Sequence, residues 1–400
     1  MPIERGDEEA GRNPLVKPSK GRNSPMTKDR KRVAVAMSGG IDSSVAACLL
    51  VREGHEVIGV SMGSGPPHES EREEMYPSGC RGVSSVEHAR KVAAGLGIPF
   101  HVIRLERDFN REVVDYFCDE YLQGRTPNPC VVCNKKLKFG RLWEEAERLG
   151  ARCIATGHYA RVEYQGDRHR YLLRKGIDAR KDQSYVLFSL SQEQLSRVEF
   201  PLGSLHKDRA KEIVRDLGLM VGDRPESQET CFTLGRDYRC FLQSRFEGRI
   251  QSGLIVDREG RVLGSHDGIS GFTIGQRRGL GIAAGYPLYV IDLDQTSNRV
   301  IVGSEKETFR DRCIASRVNW IAVESLTAPQ TVQAKIRYNH PGVEAIVDPV
   351  SEDRVMVRFK TPQKAVTPGQ AVVLYQDDVL LGGGWIEREG SGQESSAGRS

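Results

Sequence analysis

The sequence predicts an α/β protein: a parallel-sheet domain, then a small β-rich central domain, then a C-terminal β-barrel. Three observations predict it. Short apolar runs alternate with helical patterns from Val33 to Thr156, as in a parallel sheet covered by helices. A glycine-rich turn, Ser38-Gly39-Gly40, joins the first of these runs directly to a helix. After about residue 235 the texture changes, and from Ile250 onward short alternating runs are separated by Gly, Asp and Asn turns.

Each element follows from its residues. Val33 to Met37 is a short apolar strand, followed by a helical pattern that stops near Gly54. Val57 to Ser61 gives a second strand, Val86–Ala94 a helix and Ile98–Leu105 a third strand. Phe109, Val113, Tyr116, Phe117 and Tyr121 share one helical face that ends at Gly124. A further helix is expected from about Lys135 to Leu149, and Cys153 to Thr156 as a fourth, buried strand that delivers Gly157-His158. In the C-terminal part Val332, Ala334, Ile336 and Tyr338 alternate with Gln333, Lys335 and Arg337, a half-buried strand pattern. Further strands are expected around Val355–Phe359, Ala371–Tyr375 and Val379–Leu381.

Four hundred residues suit two or three domains at about 150 residues each. No apolar run approaches the ~18 residues of a membrane span, which excludes an integral membrane protein with helical spans. The net charge of +4 is already supplied by residues 1–32, with nine basic and five acidic side chains. Nucleic acid would therefore have to be bound through local patches, and the stretch 161–181, with seven basic side chains, is a candidate. Nine cysteines, an odd number, indicate reduced thiols in a cytoplasm rather than a disulfide framework. Residues 1–30 read as a disordered extension, the tail 389–400 as flexible. Between them the expected divisions are 31–234, 235–308 and 309–388.

Two motifs carry chemistry. Ser38-Gly39-Gly40-Ile41-Asp42-Ser43-Ser44 places small residues and a helix N-terminus where backbone N–H groups can meet a pyrophosphate. The lysine of a GxxxxGK[ST] loop is absent. Ser43 and Ser44 add hydroxyls, and Asp42 adds a carboxylate suited to Mg²⁺ or to a ribose. Cys130 and Cys133 stand at CxxC spacing just before a helix, a setting that favours a reactive thiolate. Cys231 follows 98 residues later in SQETCF. A structural zinc site wants a second ligand pair, and the sequence has no second CxxC.

The loop resembles that of the ATP pyrophosphatases. With the thiols, the resemblance extends to the tRNA-specific 2-thiouridylase family over residues 32 to 388. It rests on SGGIDSS, GRTPNPCVVCN, ATGHYAR, KDQSYVLF, SQETCF, TIGQRRGLG, TPGQ and LGGGWI in that order. The resemblance implies an ATP-pyrophosphatase catalytic domain with two β-rich appendages, the central one binding tRNA. It implies a sulfurtransferase that uses ATP and Mg²⁺ to thiolate C2 of the wobble uridine, position 34, in the tRNAs for Lys, Glu and Gln. A persulfide donor or relay protein would be a partner. Ala36, Met37, Ser38, Gly39, Gly40, Ile41, Asp42 and Ser43, with Met62 and Gly157, would hold ATP. Asn128, Pro129, Cys130 and His158 would meet the target base. Lys181, Asp182, Gln183, Arg337, Tyr338 and Gln370 would contact tRNA. Cys133 would be the nucleophile and Cys231 the persulfide carrier, cycling through a Cys133–Cys231 disulfide.

This chain departs from the family's usual pattern in one place: many members carry aspartate where it has Cys130. Three thiols, Cys130, Cys133 and Cys231, open an alternative in which they ligate a [4Fe–4S] cluster. Other classes remain open on the residues alone. One is a pyrophosphatase of the amidotransferase type, weakened by the lack of a glutaminase-like segment. The other is an RNA-binding module with an inactive nucleotide fold.

Overall fold

The computed structural model describes residues 30–63, 83–216, 230–233, 237–246, 248 and 250–388. Most of the expected N-terminal extension, the C-terminal tail and Ser227-Gln228-Glu229 of the second cysteine motif lie outside the described residues. No helix among the described residues is long and apolar enough to cross a membrane.

Strands β1 (Arg32–Ala36), β2 (Glu56–Gly63), β3 (Phe100–Arg104) and β4 (Cys153–Ala155) form a parallel sheet with the short strand Val198–Glu199. The order is β3-β2-β1-β4 followed by Val198–Glu199. The chain turns from one side of β1 to the other between β1 and β4, so the crevice at their carboxyl ends is the place where such sheets take ligands. Alternation along β1 divides the core. Val33 and Val35 pack with Val45, Ala46 and Leu50 of α1 (Ile41–Arg52) and Ala89 and Ala93 of α2 (Val83–Leu96). Ala34 faces the opposite side, with Phe139, Leu142 and Trp143.

The central part begins with a helix, Tyr238–Arg245, ahead of the β-rich stretch expected from Ile250 onward. Eight residues are too few to show a helical period against the β-rich texture that follows. A four-stranded sheet then runs in the order Tyr289–Asp294, Arg299–Gly303, Gly253–Val256, Val262–His266.

The barrel is built from Phe309–Trp320, Arg354–Lys364, Val343–Ser351, Gln330–Lys335, Ala371–Gln376 and Val379–Ile386, and the last strand returns to pair with the first. Gly382 and Gly384 make that closure possible, because a Cβ at either would approach the carbonyl of Asn319 or Ser316 within 2.6 or 2.9 Å.

A hairpin from the first domain, β5 (Ala160–Gln165) and β6 (Arg170–Lys175), extends this sheet by pairing with Val379 and Leu380. The basic stretch read from the sequence is therefore largely a strand pair that joins two domains. Arg161 and Arg174 both bind Asp378. Arg170 donates to the carbonyls of Trp320 and Ile321, and Lys175 to that of Asp377. These four cations are satisfied within the molecule.

Candidate active site

The loop after β1 is shaped by its own hydroxyls. Ser43 Oγ accepts from the Ser38 N–H at 3.2 Å and donates to the Gly40 carbonyl at 3.1 Å. Ser44 Oγ donates to the same carbonyl at 2.9 Å. Gly39 has φ +74°, and a Cβ there would lie 2.3 Å from the Ser85 carbonyl oxygen at the start of α2. Gly157, just beyond β4, backs the loop from the other side. Its Cβ would stand 2.7 Å from the Asp42 carbonyl carbon and 2.8 Å from the Ser43 nitrogen. Gly157 thus lets β4 lie against the first turn of α1, where helix N–H groups lack intrahelical partners and favour an anion.

Asp42 is not open to a cation in this arrangement. The Lys207 ammonium donates to both its carboxylate oxygens, at 2.7 and 2.8 Å, and the Tyr159 hydroxyl donates to one of them at 2.9 Å. Lys207 is only 5% exposed, and its backbone N–H is bound by Asp178. Sequence reasoning missed it. The signal was a phase: Lys207, Ala210, Ile213 and Val214 are the buried stripe of the helix Lys207–Asp216. A loop without the P-loop lysine thus still has a cation at its edge, supplied from a distant helix.

His158, expected beside the base, is buried between Phe139 and Phe200, with ring centroids at 6.0 and 5.8 Å. Its Nδ1 is 2.7 Å from Thr156 Oγ1. Burial, reinforced by the Lys138 charge, holds its pKa well below that of an ordinary histidine, so the ring is neutral. Two of the three residues expected to contact tRNA from this region point inward. Asp182 accepts from the Gly176 and Ser184 N–H groups and the Ser184 hydroxyl, while Gln183 exchanges hydrogen bonds with the Tyr159 backbone. Lys181 is half-buried.

The thiols come next. The helix they belong to starts earlier than expected, with Pro129 in its first turn after Asn128, so both cysteines of the CxxC lie within it. From Cys133 to Arg141 it is wound as a π-helix, a form frequent at functional sites. Cys130 is exposed and Cys133 half-buried. Cys133 rests on a cluster built from Phe109, Val113, Phe117 and Leu137, and so does Cys231. Met62, at the end of β2, touches the same cluster. Phe232 anchors Cys231 there, meeting Phe117 edge-on at 5.0 Å and Phe109 at 5.7 Å. The fold therefore gathers Met62, Cys133 and Cys231 on one hydrophobic cluster, and neither thiol is in a disulfide. It does not gather a metal centre: among the described residues no three His, Cys, Asp or Glu side chains are placed to hold a metal ion.

The barrel reaches this loop directly. Gln370 Nε2 donates to the carbonyls of Thr126 and Pro127, both at 3.0 Å, and the Thr126 N–H donates to Pro368 at 2.9 Å. Tyr338, 38% exposed, lies 6.2 Å from the ring of Tyr185, whose hydroxyl donates to Ala371. The Asn128 side chain and the Arg337 charge also act on that hydroxyl. Arg337 stands in the turn after Gln330–Lys335 rather than in the strand, its guanidinium donating to the Lys364 carbonyl. Asn128, Arg337, Tyr338 and Gln370, widely separated in sequence, thus meet at the seam between barrel and thiol helix.

A parallel sheet with a shaped loop at its switch point, continued by two β-rich modules, defines an α/β protein of the nucleotide-binding kind. Comparison with known proteins agrees. Residues 31–235 match the family described as tRNA methyl transferase HUP domain, 239–304 its PRC-barrel domain and 310–386 an aminomethyltransferase β-barrel domain. The chain is 48% identical over 359 residues to a tRNA-specific 2-thiouridylase of Desulforamulus reducens, covering 90% of this chain and 98% of that protein. It is 49% identical over 361 residues to one of Symbiobacterium thermophilum, covering 90% and 92%. The chain belongs to the tRNA-specific 2-thiouridylase family. Among solved structures it also matches the U34-tRNA thiolase NcsA from Methanococcus maripaludis with its [4Fe-4S] cluster. That match has 18% identity and a TM-score of 0.32 over 55% of this chain and 66% of that one, too distant to bear on the chemistry here.

Proposed function

We propose that this chain catalyses ATP-dependent 2-thiolation of the wobble uridine of tRNA. The observation that carries the reading is the seating of Cys133 and Cys231, 98 residues apart, on one hydrophobic cluster in a chain of the 2-thiouridylase family.

The chemistry follows from the substrate. The C2 carbonyl of uracil is a poor electrophile, and its oxygen leaves only once activated. ATP, held by residues 36–43 with Met62 and Gly157, supplies the activation. The C2 oxygen attacks the α-phosphorus, pyrophosphate departs and the oxygen becomes part of an adenylate. Lys207 and Tyr159 keep Asp42 in place, and the first turn of α1 offers its N–H groups to the phosphates. The terminal sulfur of a Cys231 persulfide then adds to C2 and AMP leaves. Cys133 thiolate attacks the Cys231 sulfur, releasing the thiolated base and closing a disulfide that a reductant must reopen. Asn128, Pro129 and Cys130 border the base, and Gln370 holds their loop. Mg²⁺ would accompany the nucleotide on its phosphates, since Lys207 already binds both carboxylate oxygens of Asp42. A donor or relay protein would renew the persulfide, and tRNAs for Lys, Glu and Gln would be the substrates.

The test is pyrophosphate release measured with and without tRNA. Release that requires tRNA, with 2-thiouridine appearing in the product, supports the reading. Turnover with an amino acid or free nucleotide as acceptor, or no turnover, overturns it.

A further inference from the structure

Most arginines and lysines near the barrel are matched by acids. Arg354 pairs with Glu387, Arg358 with Asp348 and Lys360 with Glu344, as the hairpin arginines pair with Asp378. Three cations beside the thiol helix differ. Lys135 and Lys136 follow Cys133 by two and three residues, and Arg317, on the barrel strand Phe309–Trp320, is near enough for its charge to act on Lys135. All three are exposed, and none has a carboxylate in ion-pair range among the described residues. Desolvation, and then the charges of Lys136 and Arg317, lower the Lys135 pKa from that of an ordinary lysine.

Arg317 is held in this position against its own backbone preference. Its φ is +51°, in the left-handed region, where the pairing of its strand slips between Ser316 and Asn319. Its guanidinium lies 5.5 Å over the ring of Trp385, which meets Tyr116 and Phe188 edge-on at 6.2 and 5.7 Å. An edge-on aromatic cluster of Trp385 from the barrel with Tyr116 and Phe188 of the first domain thus supports the guanidinium where the two domains meet. Gathering three like charges is unfavourable in the free protein and becomes favourable when an anion sits among them.

We propose that Lys135, Lys136 and Arg317 form a phosphate-binding site that seats the tRNA backbone beside the helix that carries Cys130 and Cys133. The proposal rests on the thiolation reading and adds phosphate contacts to the stretch 161–181, four of whose seven cations are satisfied within the molecule. The planar fork of Arg317 suits one phosphate in two-point contact, and the two lysines suit its neighbour along the strand. Base recognition is left to Asn128, Pro129 and Cys130, and position along the chain to these contacts.

The experiment is tRNA binding by fluorescence anisotropy to the full-length protein between 50 and 200 mM salt. The triple variant Lys135→Ala/Lys136→Ala/Arg317→Ala is compared with wild type. Three phosphate contacts contribute a log–log slope of about −0.7 to −0.9 each, so across this range wild type should lose roughly 20- to 40-fold more affinity than the variant. Arg358→Ala, which removes one paired charge, should keep the wild-type slope. So should the charge-retaining Lys135→Arg/Lys136→Arg/Arg317→Lys, which also controls for folding. An unchanged slope in the triple alanine variant overturns the proposal. A wild-type protein that binds no tRNA overturns instead the thiolation reading beneath it.

Discussion

Gly157→Ala should disable the nucleotide site from behind. The added methyl would lie 2.7 Å from the Asp42 carbonyl carbon and 2.8 Å from the Ser43 nitrogen, where ordinary contact begins near 3.4 Å. Both neighbours are backbone of the first turn of α1, so neither can rotate away. Relief requires the loop and β4 to separate by about 0.7 Å. Overpacking of this kind costs about 1–3 kcal/mol, which lowers the melting temperature by roughly 2–4 °C per kcal/mol in a sizeable domain. Displacement of a reactive centre by ~1 Å costs on the order of 10²-fold in rate. We therefore expect kcat/KM for tRNA-dependent pyrophosphate release to fall ~10- to 100-fold. Gly166→Ala is the control, since nothing lies within 4 Å of a Cβ there. Wild-type rates and melting for Gly157→Ala would refute the reasoning, as would equal losses in both variants.

Three further outcomes are expected. Lys207→Met leaves the Asp42 carboxylate with Tyr159 alone. The Asp42 side chain is 32% exposed, so stability should fall by about 1–3 kcal/mol, less than for a fully buried pair, and Asp42→Asn in the same chain should recover stability but not turnover, as read by thermal melts and pyrophosphate release. Gln370→Ala frees the Thr126 and Pro127 carbonyls, so single-turnover thiolation should slow while ATP affinity, measured by calorimetry, is kept. The pKa values of His158, His266 and His340 are all lowered, mainly by burial, so these rings are neutral in the fold and take up protons on unfolding below about pH 6.5. Stability should thus fall as pH drops from 7 to 5, and His158→Gln should flatten that fall by up to ~1.4 kcal/mol per pH unit in denaturant titrations.

The parallel sheet was legible because β1, β2 and β4 are buried on both faces and read as unbroken apolar runs. The loop and thiols were legible because glycine and cysteine at fixed spacing have few structural uses. Other features depend on distance. The β5–β6 hairpin looked like a basic patch, since the acid that neutralises Arg161 and Arg174 is Asp378, over 200 residues away. Lys207 carried no motif, only a phase on a helix. Asp182 and Gln183 looked like surface polar residues, yet Asp182 ties down Gly176 and Ser184, and Gln183 the Tyr159 backbone. Polar side chains that satisfy a buried backbone resemble, in sequence, those that meet a ligand.

The central claim is sulfur transfer from Cys231 to tRNA with Cys133 as the releasing thiol. Its most direct test is a single turnover with iron-free protein carrying a radiolabelled persulfide sulfur, given tRNA and ATP. The account predicts one labelled 2-thiouridine per loaded protein, dependent on ATP. It also predicts that Cys133→Ser still releases pyrophosphate but traps the label on a protein–tRNA adduct. Label that never leaves the protein, or transfer that requires added iron, would contradict it.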